Sequence, residues 1–197
     1  AQLIAAAQPG MDYLGFDRVR AAARSDQVAW DTRFARTQEF GDGAFERRVV
    51  RFRPVPVAIR VCDAAPPWEL ARVLAAALRA GAPVAISSAR PITASLVQFL
   101  SDDTTAISVS EIVVESDARW HARLLSGETG AHRLRLLGAD PSALAALLGS
   151  GAQPELYAEP VTAAGRIELL TFLREQSVSI TVHRFGYPDA AMASLIV

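Results

Sequence analysis

The sequence predicts an α/β fold: an open, largely parallel sheet wound through helices, with one strand protruding near the end. Short apolar runs alternate with helix-spaced stretches from Val57 to Ala158, the pattern of a parallel sheet with right-handed crossovers. Proline and glycine punctuate those stretches at their starts and stops, as at Pro66-Pro67 and Gly81. The segment Gly165 to Gly186 changes its period. Ile167, Leu169, Leu170, Phe172 and Leu173 share a helical face, whereas from Ser177 onward Val178, Ile180 and Val182 alternate with Ser179, Thr181 and His183. A strand with one apolar face and little chain after it is expected to pack on another surface.

The elements follow in order. Met11 to about Arg36 reads as helix, with Leu14, Phe16, Val19, Val28, Trp30 and Phe34 spaced along it, and Phe40-Gly41-Asp42-Gly43 as a loop. Arg48 to Phe52 is a short strand, Pro54 and Pro56 interrupt the ladder, and Val57 to Val61 resumes it. Pro66-Pro67 opens a helix through Leu78; Pro83 to Ser87 is a buried strand, Pro91 starts a helix through Phe99, and Ile107 to Val114 is extended. Asp117 is placed to cap a helix through Trp120 and Leu125. His132 to Leu137 is a strand, Pro141 to Leu148 a helix stopped by Gly149, and Glu155 to Ala158 a strand. No internal repeat or flexible linker is evident.

Composition narrows the function classes. At 197 residues, half of them hydrophobic, the chain suits one globular domain with an appendage. A net charge of −1 offers no electrostatic case for nucleic acid or an anionic membrane. The opening AQLIAAAQPG is too short for a membrane span and lacks a basic leader, and a single cysteine fits a reducing cytosol, so a cytoplasmic location is expected. All twenty basic residues are arginine. Without lysine, Schiff-base chemistry, a lysine base and a phosphate-loop lysine are all excluded.

The candidate chemical residues are few. Cys62 follows a strand with no histidine or glycine-rich oxyanion loop near it in sequence, and reads as a small buried thiol. His121, His132 and His183 are too scattered with Cys62 for a zinc spacing. His183, beside Arg184 on the polar face of the last strand, reads as an interface contact rather than a proton-transfer group. Arg47, Arg48, Arg51 and Arg53 could hold phosphate, but their alternation describes the solvent side of a strand. Gly127-Glu128-Thr129-Gly130 is a surface turn, and no G-x-G-x-x-G fingerprint is present.

The stretch Pro56 to Pro91 resembles the first nucleotide-binding unit of the aldehyde dehydrogenase superfamily. Ala80-Gly81-Ala82 stands where that family has Ala-Gly-Asn, and Ser87-Ser88-Ala89-Arg90 where it has Lys-Pro-Ser-Glu. The family's lysine bonds the adenosine ribose, so its replacement implies that NAD is not held here. Nothing resembles the family's Gly-Gln-x-Cys or Glu-Leu-Gly-Gly segments, which implies no nucleophile and no base. The runs Glu46 to Pro54, Gly165 to Leu170 and Glu175 to Thr181 further resemble the C-terminal domain of actinobacterial proline utilization A, over most of residues 20–190. That family joins FAD-dependent proline dehydrogenase to NAD-dependent L-glutamate γ-semialdehyde dehydrogenase, and its larger members carry a non-catalytic aldehyde-dehydrogenase-like domain that helps close the internal cavity.

The resemblance implies a Rossmann-like parallel sheet with a β-flap, divided as an N-terminal helical connector at 1–45, the α/β domain at 46–176, and the flap and tail at 177–197. It implies no catalytic, cofactor-binding or metal-ligating residue in this domain; FAD and NAD belong to the parent family. The interface is expected at Val178, Ile180, Val182, His183 and Phe185, against the aldehyde dehydrogenase module of the same polypeptide or in a homodimer through the flap. The alternative expectation is a regulatory α/β domain that binds a nucleotide or small ligand at the carboxyl edge of its sheet.

Overall fold

The computed structural model describes residues 1–40, 46–149, 154–181 and 195, with 183–184 and 187–188 by backbone. Helix α1 (Gln2–Ala7) and a 3-10 turn (Gln8–Gly10) lead to α2 (Tyr13–Ala29), which runs into a π turn at Trp30–Phe34. Strands β1 (Gln38–Phe40), β2 (Glu46–Pro54) and β3 (Val57–Val61) follow, then α3 (Pro67–Ala80), β4 (Val84–Ser88), α4 (Ala94–Leu100) and β5 (Val109–Val114). Next come α5 (Asp117–Leu125), β6 (Arg133–Leu137), α6 (Pro141–Leu148), β7 (Glu155–Tyr157) and the short α7 (Gly165–Glu168), continued by a 3-10 turn (Leu169–Phe172). The chain closes with β8 (Leu173–Thr181), β9 (His183–Arg184) and β10 (Tyr187–Pro188).

Five strands in the order β5-β4-β3-β6-β7, every neighbouring pair parallel, make the body. The chain works outward from β3 to β5, then crosses to β6 and β7, which is the Rossmann order with its switch between β3 and β6. Side-chain alternation separates two cores. Val57, Ile59 and Val61 of β3 face α2 and α3 in the larger cluster, with Phe34, Leu74, Leu169 and Phe172. Leu134 and Leu136 of β6 face the other side, with Cys62, Trp120 and Leu144. Leu169 and Phe172 are completely buried, each contributing about 1.5–3 kcal/mol of transfer free energy.

Residues 1–45, expected as a connector, supply Leu3, Ala7, Val19, Ala29 and Phe34 to that same larger core. Gly81 closes α3 in the left-handed conformation (φ +69°), where glycine lacks the Cβ that would oppose it.

A second, antiparallel sheet of three strands in the order β1-β2-β8 forms the flap. Its composition differs from expectation. The strand expected at Arg48 to Phe52 does not share a ladder with Val57–Val61 across the proline break; it runs over Glu46–Pro54 and pairs along its whole length with β8, from Glu46 opposite Thr181 to Pro54 opposite Leu173. The closing helix is correspondingly short. It ends within one turn at Glu168, and extended backbone begins at Leu173 rather than Ser177, because Leu173 to Gln176 complete the ladder with β2. Only three of the five residues of the supposed helical face are therefore packed: Leu169, Phe172 and Leu173 are buried while Ile167 and Leu170 are exposed.

Candidate functional site: the closed sheet edge and the flap

In a doubly wound sheet, ligands sit outside the carboxyl ends of the strands at the switch point. Here that place lies between the turns after β3 and β6, and it is shut. Gly138 has φ +71°, and a Cβ built on it would stand 2.4 Å from the backbone nitrogen of Ala65. The Cys62 N–H donates to the Leu137 carbonyl at 3.0 Å, tying the two turns together.

The neighbouring space at the ends of β3 and β4 is a cavity of about 80 Å³, lined by Val61, Leu70, Ser88, Arg90 and Leu96, whereas ligand pockets usually start at about 300 Å³. The N-terminal segment roofs it. Ser95 Oγ donates to the Ala6 carbonyl at 2.7 Å, and a Cβ built on Gly10 would run into the Thr93 methyl. Arg90, in the place of the superfamily's Lys-Pro-Ser-Glu segment, turns its guanidinium to the Ala65 carbonyl of the shut turn.

Cys62 is buried beside Arg60 and Trp120, and burial pushes its thiol upward, aided by Asp117 and opposed by Arg60. That is the environment of an inert thiol. Arg60, wholly buried in β3, donates to Ser87 Oγ at 2.7 Å, the Glu115 carbonyl at 3.2 Å and Asp117 Oδ1 at 2.5 Å, with its guanidinium 5.1 Å from the Trp120 ring centre. Asp117 therefore serves Arg60 and not the helix end it was expected to cap. The cap is Ser116, whose side chain accepts from the Arg119 N–H.

Arg123 joins the same network through Glu115 at 2.7 Å and Glu111 at 2.7 Å. His121 stacks obliquely on Trp120 with ring centres 5.1 Å apart, and His132 is exposed just before β6. Cys62, His121 and His132 do not gather into one constellation, and among the described residues no three His, Cys, Asp or Glu side chains cluster as metal ligands.

The expected interface residues fall on the flap. Val178 lies opposite Val49 and Ile180 opposite Arg47, so the apolar row is backed by β2 and both residues are half-buried. Val182 and Phe185 lie outside the described residues, and His183 begins β9, which pairs with β10. The arginines of β2 divide between faces. Arg48 pairs with Glu46 at 3.1 Å, Arg47 with Glu39 at 2.8 Å, and Arg47 also donates to the Leu195 carbonyl. Among the described residues β8 bonds to β2 along one edge, leaving its other edge unpaired.

Sequence reasoning missed the arginines that fix the flap to the body. Arg133 of β6 donates to Glu155 and to the carbonyls of Leu170, Thr171 and Leu173, at the root of β8. Arg135 donates to buried Glu168 and to the carbonyls of Tyr157 and Glu159. The available signal was Arg133-Leu134-Arg135-Leu136, a charged alternation inside a strand that helices cover on both sides.

No protein-family model matches the chain, and no curated protein sequence does. Among solved structures, the chain is similar to proline utilization A from Corynebacterium freiburgense at a TM-score of 0.55 and 26% identity, over 91% of its own length. The likeness supports a relation to proline utilization A. The chain spans 15% of the length of that protein. Its own five-stranded parallel sheet is Rossmann-like. Among the described residues no helix is long and apolar enough to cross a membrane.

Proposed function

We propose that the chain is a non-catalytic, aldehyde-dehydrogenase-like domain of a bifunctional proline-catabolic enzyme. Its flap docks on the aldehyde dehydrogenase module and helps close the cavity through which the semialdehyde passes. FAD and NAD are held by the catalytic modules of such an enzyme, in the cytoplasm. The carrying observation is the pairing of a shut carboxyl edge, Gly138 on Ala65, with an antiparallel flap that Arg133 holds at its root and whose outer strand, among the described residues, is unpaired along its other edge. An unpaired edge is a template for strand addition, and a body with its ligand crevice filled leaves packing as the use of the fold. The likeness to proline utilization A supports the choice of partner.

The test is Ile180→Arg in the polypeptide that joins this domain to its dehydrogenase modules. NADH formation from proline is followed with a trap for free semialdehyde, beside a dye-linked assay of proline oxidation. The expected result is lower coupled flux or more trapped intermediate, with proline oxidation intact. Unchanged flux and trapping would overturn the proposal.

A further inference from the structure

A groove of about 660 Å³ runs along the amino edge of the parallel sheet, at the root of the flap and opposite to the edge where a nucleotide would sit. One wall is apolar, formed by Val55, Pro56, Val57 and Pro83; the other carries Arg133, Glu155 and Arg174. Arg174 stands directly opposite Arg53 in the β2–β8 ladder, so both side chains leave the same face, and Arg51 lies two residues along that face. Like charges in this position repel.

Little neutralises them. Glu155 is taken by Arg133 at 2.5 Å and reaches Arg174 only at 3.7 Å. Arg51 donates to the neutral amide oxygen of Gln176 at 2.7 Å. Among the described residues neither Arg51 nor Arg53 has an ion-pair partner. Among the described residues Glu155 is thus the one carboxylate paired with any of Arg51, Arg53, Arg133 and Arg174, in a chain whose net charge is −1.

We infer that this lane docks an acidic, extended protein segment, with carboxylates over Arg53 and Arg174 and apolar side chains against Val55, Pro56 and Val57. Guanidinium forks match carboxylates in paired hydrogen bonds, and an extended segment presents charge and apolar groups on alternate sides. Among the described residues that line the groove none is Phe, Tyr or Trp, on which nucleic-acid bases would stack, and this favours a peptide over a nucleic acid. The inference rests on the packing reading in one respect: the segment belongs to the module that the flap meets.

The probe is a fluorescent octapeptide of alternating Glu and Val, titrated into the chain at low and high salt, with a Lys-Val octapeptide and an eight-nucleotide uridine RNA beside it. Glu-Val binding that weakens with salt, and falls about five- to tenfold in Arg53→Gln/Arg174→Gln, is expected. Arg48→Gln, on the opposite face, should bind as the parent does. A thermal melt of the double variant at or above the parent value shows that it is folded, since a repulsion has been removed; the two single variants serve if it is not.

Equal binding by parent and Arg53/Arg174 variants, or equally tight binding of the RNA, overturns the inference. Peptide binding as expected alongside an Ile180→Arg enzyme with unchanged flux would sink the packing reading and leave the groove standing. The opposite pair of results would remove the groove alone.

Discussion

Arg135 and Glu168, 33 residues apart in sequence, meet at 2.9 Å with side chains 3% and 2% exposed. The pair links the middle of β6 to α7, from which β8 emerges. Glu168 is completed by the Thr162 N–H at 3.0 Å, and Arg135 by backbone carbonyls, so neither charge is left bare. Taking away one partner strands the other. Arg135→Met is expected to cost about 3–5 kcal/mol, while Arg135→Met/Glu168→Gln should recover part of that loss. A double-mutant cycle on urea unfolding midpoints measures both, and additive losses would show that the pair is not coupled.

Gly138 makes a sharper claim about the shut crevice. Gly138→Ala combines a left-handed backbone, costing about 1–2 kcal/mol, with a Cβ 2.4 Å from the Ala65 nitrogen. Gly127 has the same handedness (φ +76°) but open space around its Cβ position. Gly127→Ala should therefore lose only the conformational part, and Gly138→Ala distinctly more. Equal melting temperatures for the two variants would mean that the turns after β3 and β6 are not in contact.

The parallel body was legible because its helices announce themselves: Pro67, Gly81, Pro141 and Gly149 mark ends where the structure has them. The flap strand was legible from Ser177 onward, where apolar and polar residues alternate. Its first part was not, because Arg174-Glu175-Gln176 is polar on both faces, and a strand held by a long ladder needs no apolar pattern. Nor could Glu46–Pro54 be assigned to the right sheet. Pairing across more than a hundred residues leaves no local trace. The buried arginines were hidden for a related reason: Arg60, Arg72, Arg133 and Arg135 satisfy their charge through partners remote in sequence.

Cys62 should behave as the buried thiol that its surroundings describe. With burial holding its pKa above the ordinary thiol range, little thiolate forms near neutral pH. A disulfide exchange reagent is expected to label the folded protein slowly and the urea-unfolded protein at once. Rapid labelling of the folded chain would show that the network around Arg60 opens readily.

Acid should loosen the flap before the body. The Glu39 carboxyl is held below the usual range by the Arg47 hydrogen bond, and that of Glu46 by the Ser179 hydroxyl and then Arg48. A lowered carboxyl stabilises the fold above its unfolded pKa, and that contribution disappears as pH falls through the folded value. Asp26 and Glu69 in the body run the other way. Burial pushes both up, opposed in Asp26 by Arg72 at 2.7 Å, so their contribution is present at low pH and is lost as pH rises through the raised value. Between about pH 5 and pH 3, amide protection factors are expected to fall in β1, β2 and β8 while β3 and β4 hold. A uniform fall would refute the separation.

The register of the flap decides how a charge at position 180 behaves in the chain by itself. Ile180 faces Arg47 across the ladder, so an aspartate there meets a guanidinium. An arginine at 180 meets a like charge in the same place, and cross-strand pairs of this kind differ by roughly 0.2–1 kcal/mol each. Ile180→Asp and Ile180→Arg both give up half-buried apolar area, so the difference between them isolates the electrostatic part. Ile180→Arg is therefore expected to melt below Ile180→Asp at low salt, and the gap should close in high salt as the pair is screened. The reverse order would mean that Arg47 is already saturated by Glu39 of β1 and the Leu195 carbonyl, both of which it contacts.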